Sequence, residues 1–186
     1  IMKEYLVNNW KKDAKRLAQM GIKVCFTGHF HAQDISNKYG LTDIETGSTV
    51  SYPHPYRLID VDTDKQTLQI RTEKVESLTS MKDNKETLQQ KSERFATSAL
   101  SGVMETMVPK KVPYEVKKEC AQVLGKAYAM HLAGDEHPSA DFKSRLKAAV
   151  KRLKPYSWKW AFIMNKIGKH LSTDTGVADN NTSINY

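Results

Sequence analysis

Apolar side chains recur at spacings of four, four and three through Leu6, Trp10, Ala14 and Leu17, with Lys11, Lys12, Lys15 and Arg16 between them. That period predicts an amphipathic helix over residues 3–20, ended by Gly21. Ile22, Val24 and Phe26 then alternate with Lys23, Cys25 and Thr27, which is the period of a strand. Asp34 to Lys38 and Leu41 to Glu45 flank Tyr39-Gly40 as the arms of a small hairpin, and Thr46-Gly47-Ser48 supplies a turn. Pro53 and Pro55 bracket His54 in a stiff loop expected to carry no ladder hydrogen bonds. Tyr56 to Asp62 and Thr67 to Val75 alternate on either side of Asp62-Thr63-Asp64-Lys65, a second hairpin.

From about residue 83 the period is helical and stays so. One helix is expected over Asn84 to Met107, with Leu88, Phe95, Val103 and Met107 on its apolar stripe. Val112-Pro113 opens a second that runs through His131, Ser139 caps a third that reaches Lys154, and Pro155 introduces a fourth near Ser157 to His170. The expected architecture is therefore α+β, with a mixed first part (1–80), an all-α extension (81–172) and a flexible tail (173–186). The Asn180-Asn181-Thr182-Ser183 end offers glycosylation-like triplets, but its composition reads as a frayed terminus.

Charge sharpens this division. Residues 1–80 hold 11 Lys and Arg against 10 Asp and Glu, whereas residues 81–186 hold 18 against 11, so nearly all of the formal +8 lies in the helical part. A basic face could meet nucleic acid, an anionic membrane surface or an acidic partner; because the charges read as mixed rather than blocked, a solvated helical surface is the expectation. Trp158, Trp160 and Phe162, near Lys154, Lys159 and Lys166, are expected in the core of a helical segment, so nucleic acid is not the expected partner. No apolar run reaches the roughly 18 residues of a membrane helix, and no transmembrane segment is expected. Cys25 and Cys120 form no C-x-x-C pair or disulfide framework; Cys25 reads as a small buried hydrophobe and Cys120 as a helix residue with no His nearby. Ile1-Met2 is preceded by no leader pattern. The simplest reading is a chain whose natural start lies upstream, which leaves cytoplasmic, secreted and periplasmic destinations open.

The stretch with chemistry in it is Gly28-His29-Phe30-His31, directly after the strand that ends at Thr27. Loops at the carboxyl ends of core strands are where open α/β sheets place their sites. Two imidazoles one residue apart reach neighbouring positions if the backbone turns at the glycine, and neutral imidazole suits first-row divalent metals.

Val24 to Ile35, Asp43 to Ser48 and Tyr52-Pro53-His54-Pro55-Tyr56-Arg57 together resemble the C-terminal end of the calcineurin-like metallophosphoesterases, over roughly residues 1–76. G-H-x-H after a hydrophobic strand is that family's last metal motif. The resemblance implies a two-sheet β sandwich flanked by helices, with residues 1–80 as the C-terminal portion of the core. It also implies hydrolysis of phosphate esters by a metal-activated water at a dinuclear centre of divalent ions such as Mn, Fe or Zn. His29 would ligate one metal and His31 the other. His54 could overhang the site, and Arg57 could hold a phosphate oxygen, although a surface imidazole and a structural ion pair are their plainer readings.

The departures matter as much. The family's D-x-H, G-D-x-x-D and G-N-H-[ED] motifs and a further His have no counterpart among the 28 residues before His29, none of which is His, and Asn-His occurs nowhere. Gly134-Asp135-Glu136-His137 contains G-D and D-x-H, yet it follows a helix and reads as a helix-ending glycine with a polar loop. The expectation is a C-terminal fragment of a phosphatase or phosphodiesterase, inactive alone, whose incomplete sandwich favours self-association. The competing reading is a non-catalytic, basic helical binding or regulatory module on a phosphoesterase-like scaffold.

Overall fold

A computed structural model describes residues 6–81, 85–174 and 176–186. The chain forms two units, residues 1–75 together with 175–186, and residues 76–174. Among the described residues the fold is α+β, with two three-stranded sheets and five α-helices.

In the first unit, α1 (Trp10–Gln19) begins where Asn9 takes a left-handed φ of 61°. The expected helix was longer; its start at residues 3–5 lies outside the described residues, and Leu6 and Val7 precede the helix and are exposed. Two lysines tie α1 to the hairpin that follows. Lys38 lies over the Trp10 ring and Lys15 over the Tyr39 ring, at 5.3 and 4.8 Å from the centroids.

β1 (Val24–Thr27), β2 (Asp34–Lys38) and β3 (Leu41–Glu45) form one sheet in the order β1-β3-β2. β2 and β3 are the antiparallel hairpin expected around Tyr39-Gly40, both of which have positive φ. β1 pairs with β3 in parallel, Val24 opposite Thr42 and Thr27 opposite Glu45, and so lies at the sheet's edge. The second sheet is β4 (Pro55–Asp62), β5 (Thr67–Lys74) and β6 (Thr182–Asn185), in that order and antiparallel. Alternation carries Ile35 and Ile44 of the first sheet and Leu68 and Ile70 of the second into one buried cluster, with Val24, Ile59, Ile184 and Tyr186 packed against it.

Two expectations are corrected here. The terminal segment read as a flexible tail contains β6, because Thr182 to Asn185 alternate and Ile184 turns to the core opposite Leu68. The Pro-flanked loop does join the ladder: Pro55 opens β4 opposite Lys74, and the His54 carbonyl accepts from the Val75 N–H at 3.0 Å. Proline lacks only the donor, so its acceptor side can still pair.

The second unit holds α2 (Leu88–Met107), α3 (Tyr114–Ala133), α4 (Ala140–Leu153) and α5 (Trp158–His170), after a 3₁₀ turn at Thr79–Met81. Asn84, the expected start of α2, lies outside the described residues; Thr87 and Gln90 form a capping box at Leu88. Ser139 caps α4 as expected, Ser157 caps α5 close to the expected start, and Gly134 ends α3 with φ 70°. α3 is central and packs against α2, α4 and α5. It meets α2 through small residues, since a Cβ on Gly125 would lie 2.6 Å from the Thr97 carbonyl oxygen. That approach turns the small face of α2 inward and leaves Phe95, Val103 and Met107 of the expected apolar stripe exposed, while Leu88 of that stripe is buried. The aromatic residues of α5 also differ from expectation: Trp158 is 73% exposed, Phe162 65%, and Trp160 only half-buried.

Candidate functional site

Because β1 and β3 run in parallel, the loops that leave their carboxyl ends emerge side by side. Residues 28–33 follow β1, residues 46–54 follow β3, and the Thr46 N–H donates to the Thr27 carbonyl at 3.1 Å where the two loops begin. The first loop carries His29 and His31, both exposed, around a half-buried Phe30. The turn is made by the histidines themselves and not by Gly28, since φ is 83° at His29 and 63° at His31. A left-handed conformation at a non-glycine residue costs on the order of 1–3 kcal/mol, so the surrounding contacts must hold it.

They do so through Gln33, 1% exposed. Its Oε1 accepts from the Gly47 N–H at 2.7 Å, and its Nε2 donates to Thr72 Oγ1 at 3.0 Å and Asn180 Oδ1 at 3.3 Å. Gly47 is pressed between the loops; a Cβ there would lie 3.1 Å from the His31 carbonyl oxygen and 2.8 Å from Pro55 Cγ. Ser51 Oγ lies 3.5 Å from His31 Nδ1, which places the second loop beside that imidazole. The Ile35 N–H donates to Asp179 Oδ1 at 2.8 Å and fixes the start of β2.

His54 is 8% exposed, has φ 59°, and stands between the buried Pro53 and Pro55. Its Nδ1 is 3.1 Å from the Thr49 carbonyl, which makes Nδ1 the donor, while its buried Nε2 has no hydrogen-bond partner. The carbonyl anchor fixes the orientation of the ring inside the loop. His54 is not the surface imidazole that its proline-flanked sequence suggests.

Arg57 is occupied elsewhere. Its Nε donates to Thr46 Oγ1 at 3.1 Å, Nη1 to the Asp179 carbonyl at 2.6 Å and Thr72 Oγ1 at 3.3 Å, and Nη2 to the Glu45 carbonyl at 2.8 Å. These hydrogen bonds make a clamp on backbone and hydroxyl acceptors, in keeping with a structural role for Arg57. Asp43 of β3 accepts from Thr27 Oγ1 at 2.7 Å and from Cys25 Sγ at 3.5 Å.

The structure thus brings His29 and His31 into one loop, sets Ser51 beside His31, and buries His54 in the adjacent loop. Among the described residues of this unit, no three ligating atoms of His, Cys, Asp or Glu converge within 4.8 Å. The two exposed imidazoles therefore fit part of a divalent-metal shell and do not complete one. Sequence reasoning missed Gln33, Asp179 and Asn180, whose roles depend on pairing across more than a hundred residues; only the amide and carboxylate types hinted at them. No protein-family model and no curated protein matches the chain.

Proposed function

We propose that the first unit is the C-terminal portion of a metal-dependent phosphoesterase core, in which His29 ligates one of two divalent ions and His31 the other. The observation that carries this reading is a pair of exposed imidazoles held in left-handed backbone at the shared carboxyl end of two parallel strands. Two three-stranded sheets that share the core of Ile35, Ile44, Leu68 and Ile70 agree with the general α+β class of that family. When bound, two ions of this kind supply Lewis acidity at phosphorus. Gln33 and Gly47 fix the path of the loop that carries both imidazoles, and Ser51 orients His31 through Nδ1. On this reading His54 lies near the substrate in the second loop, anchored through Nδ1 to the Thr49 carbonyl, and Arg57 holds that loop against β5. The remaining ligands, including a carboxylate to offset the metal charge, come from polypeptide outside this sequence.

The 186-residue chain alone is then expected to bind Mn²⁺ or Zn²⁺ weakly and to hydrolyse no aryl phosphate. In the longer polypeptide that contains it, His29→Ala and His31→Ala should each lower turnover by about a thousandfold or more while the circular dichroism spectrum is unchanged. Robust chelator-sensitive hydrolysis by the 186-residue chain, or full turnover by the longer polypeptide with His31→Ala, would overturn the assignment.

A further inference from the structure

Between Asp141 and Asp174 the chain carries no acidic residue, while residues 142–173 include nine Lys and Arg. This stretch spans α4, the connection Lys154-Pro155-Tyr156-Ser157, and α5. Half of the helical unit's Lys and Arg, and all of its net positive charge, therefore lie on one helical hairpin. α4 buries Phe142, Leu146, Ala149 and Leu153, and α5 buries Ala161, Met164 and Gly168. The two helices approach closely where a Cβ on Gly168 would lie 2.7 Å from Leu146 Cδ1.

The outward face of α5 is uniform in a different way. At the helical rotation of about 100° per residue, Trp158, Lys159, Phe162, Lys166, Lys169 and His170 fall within an arc of about 120°. All six are exposed, Trp158 and Phe162 most of their surface, and Tyr156 is exposed in the connection. On α4 and at its C-cap, Lys143, Lys147, Lys151 and Lys154 form a second exposed stripe, on the flank away from Arg152, which pairs with Glu119 of α3. Among the described residues, Arg152 is the only one of the nine cations in an ion pair.

We propose that this face of the α4–α5 hairpin docks on an anionic lipid surface. Trp158 and Phe162 enter the boundary between headgroups and acyl chains, and the surrounding lysines meet the acidic headgroups. Aromatic rings in one arc, rimmed by long cationic side chains, match a medium that is apolar beneath and anionic above, and the lysine stems can reach the headgroups while their methylenes cover apolar surface. Among the described residues no helix is long and apolar enough to cross a membrane, and the proposed attachment is to the surface. Nucleic acid would satisfy the lysines. However, single-strand sites line a groove with their stacking rings, and here the rings project from the convex side of one helix. A second copy of the chain would satisfy the rings but would bring like charges face to face. This inference stands apart from the phosphoesterase reading.

The purified 186-residue chain should cosediment with phosphatidylcholine vesicles that contain phosphatidylserine and much less with phosphatidylcholine alone, its tryptophan emission shifting to the blue. Trp158→Ala with Phe162→Ala should weaken this binding about tenfold or more. Lys159→Gln, Lys166→Gln and Lys169→Gln should weaken it about fivefold for each lysine lost and abolish the preference for phosphatidylserine. All five positions are exposed, so the helical circular dichroism signal should not change. The proposal is overturned if the chain ignores phosphatidylserine vesicles, or if the aromatic variant binds them as well as the parent. It is equally overturned by tighter binding to a single-stranded oligonucleotide at the same salt, or by a dimer that the aromatic variant abolishes.

Discussion

Asp43 shows how one side chain can set the chemistry of its neighbours. Burial first, and then the charge and hydrogen bond of Asp43, push the Cys25 thiol up from 9.0 to about 11. Burial and the Glu119 charge do the same for Cys120, to about 11, against the opposing pull of Arg152. Neither thiol is a nucleophile at neutral pH, because the thiolate is the reactive form. The rate of Cys25 alkylation should therefore rise with a midpoint near 11, and in Asp43→Asn the midpoint should fall while staying above 9.0, since burial persists. The sign for stability follows from linkage. The folded state holds these protons more tightly, so the stabilisation is fully present below pH 9 and is lost as pH climbs from 9 to about 11. Replacing both cysteines by alanine should flatten that part of the alkaline unfolding curve; an unchanged curve would refute the linkage. Arg57 acts through geometry instead. Arg57→Ala removes donors from the Glu45 and Asp179 carbonyls and should cost on the order of 2–3 kcal/mol. Arg57→Lys should restore only part of this, since an ammonium cannot reproduce the planar fork. Trp10 is the one tryptophan of the first unit, so its fluorescence during urea unfolding, with Trp158 and Trp160 replaced by Phe, reads the loss.

At the scale of elements, the junction of α2 and α3 has the least room. Gly125 of α3 would place a Cβ 2.4 Å from Ser101 Oγ and 2.6 Å from the Thr97 carbonyl. The hydroxyl can rotate away, but the carbonyl belongs to the α2 backbone and cannot. Gly125→Ala should therefore push the helices apart and destabilise the second unit by about 1–3 kcal/mol despite the better helix propensity of alanine. A gain in urea midpoint would show that α2 yields freely. This contact also explains what the sequence concealed. Caps are local chemistry, and Ser139 marks the start of α4 in the sequence, whereas the capping pair Thr87-Gln90 lies beyond the expected start of α2 at Asn84. Which face of a helix turns inward is not local. The apolar residues Phe95, Val103 and Met107 recur with helical period, yet the small residues of α2 were selected by the approach of Gly125. In the same way Gly28-His29-Phe30-His31 marked the candidate site by residue type, but the left-handed turns at both histidines depend on Gln33 and Gly47, held by residues of β5 and of the C-terminal segment. The parallel pairing of β1 with β3 around an intervening hairpin was likewise beyond any short-range pattern.

Over the whole molecule, the chain leaves the first unit after Val75, builds the helical unit, and returns to add β6 to β5. A segment of Asn, Thr and Ser with a single Ile among its strand residues looks frayed in sequence because its partners are more than a hundred residues away. Its contributions are specific. Ile184 and Tyr186 pack on the core shared by the two sheets, Asp179 accepts from the Ile35 N–H, and Asn180 and Asn181 accept from Gln33 and the Thr72 N–H. Losing the half-buried Ile184 costs about 1–2 kcal/mol, and the unsatisfied N–H of buried Ile35 another 1–3. Such losses are a large fraction of the stability of a small folded unit. A chain ending at Asp174 should therefore lose the cooperative Trp10 unfolding transition or show it at much lower urea. The helical unit should keep its far-ultraviolet signal, because α2–α5 bury their apolar faces on one another. Adding a peptide of residues 176–186 should restore the Trp10 transition in proportion to its concentration, by strand addition at the free edge of β5. If the truncated chain instead unfolds at the same urea concentration as the parent, β6 contributes nothing to the shared core and the first unit is complete at Val75. If both signals collapse together, the two units do not fold independently.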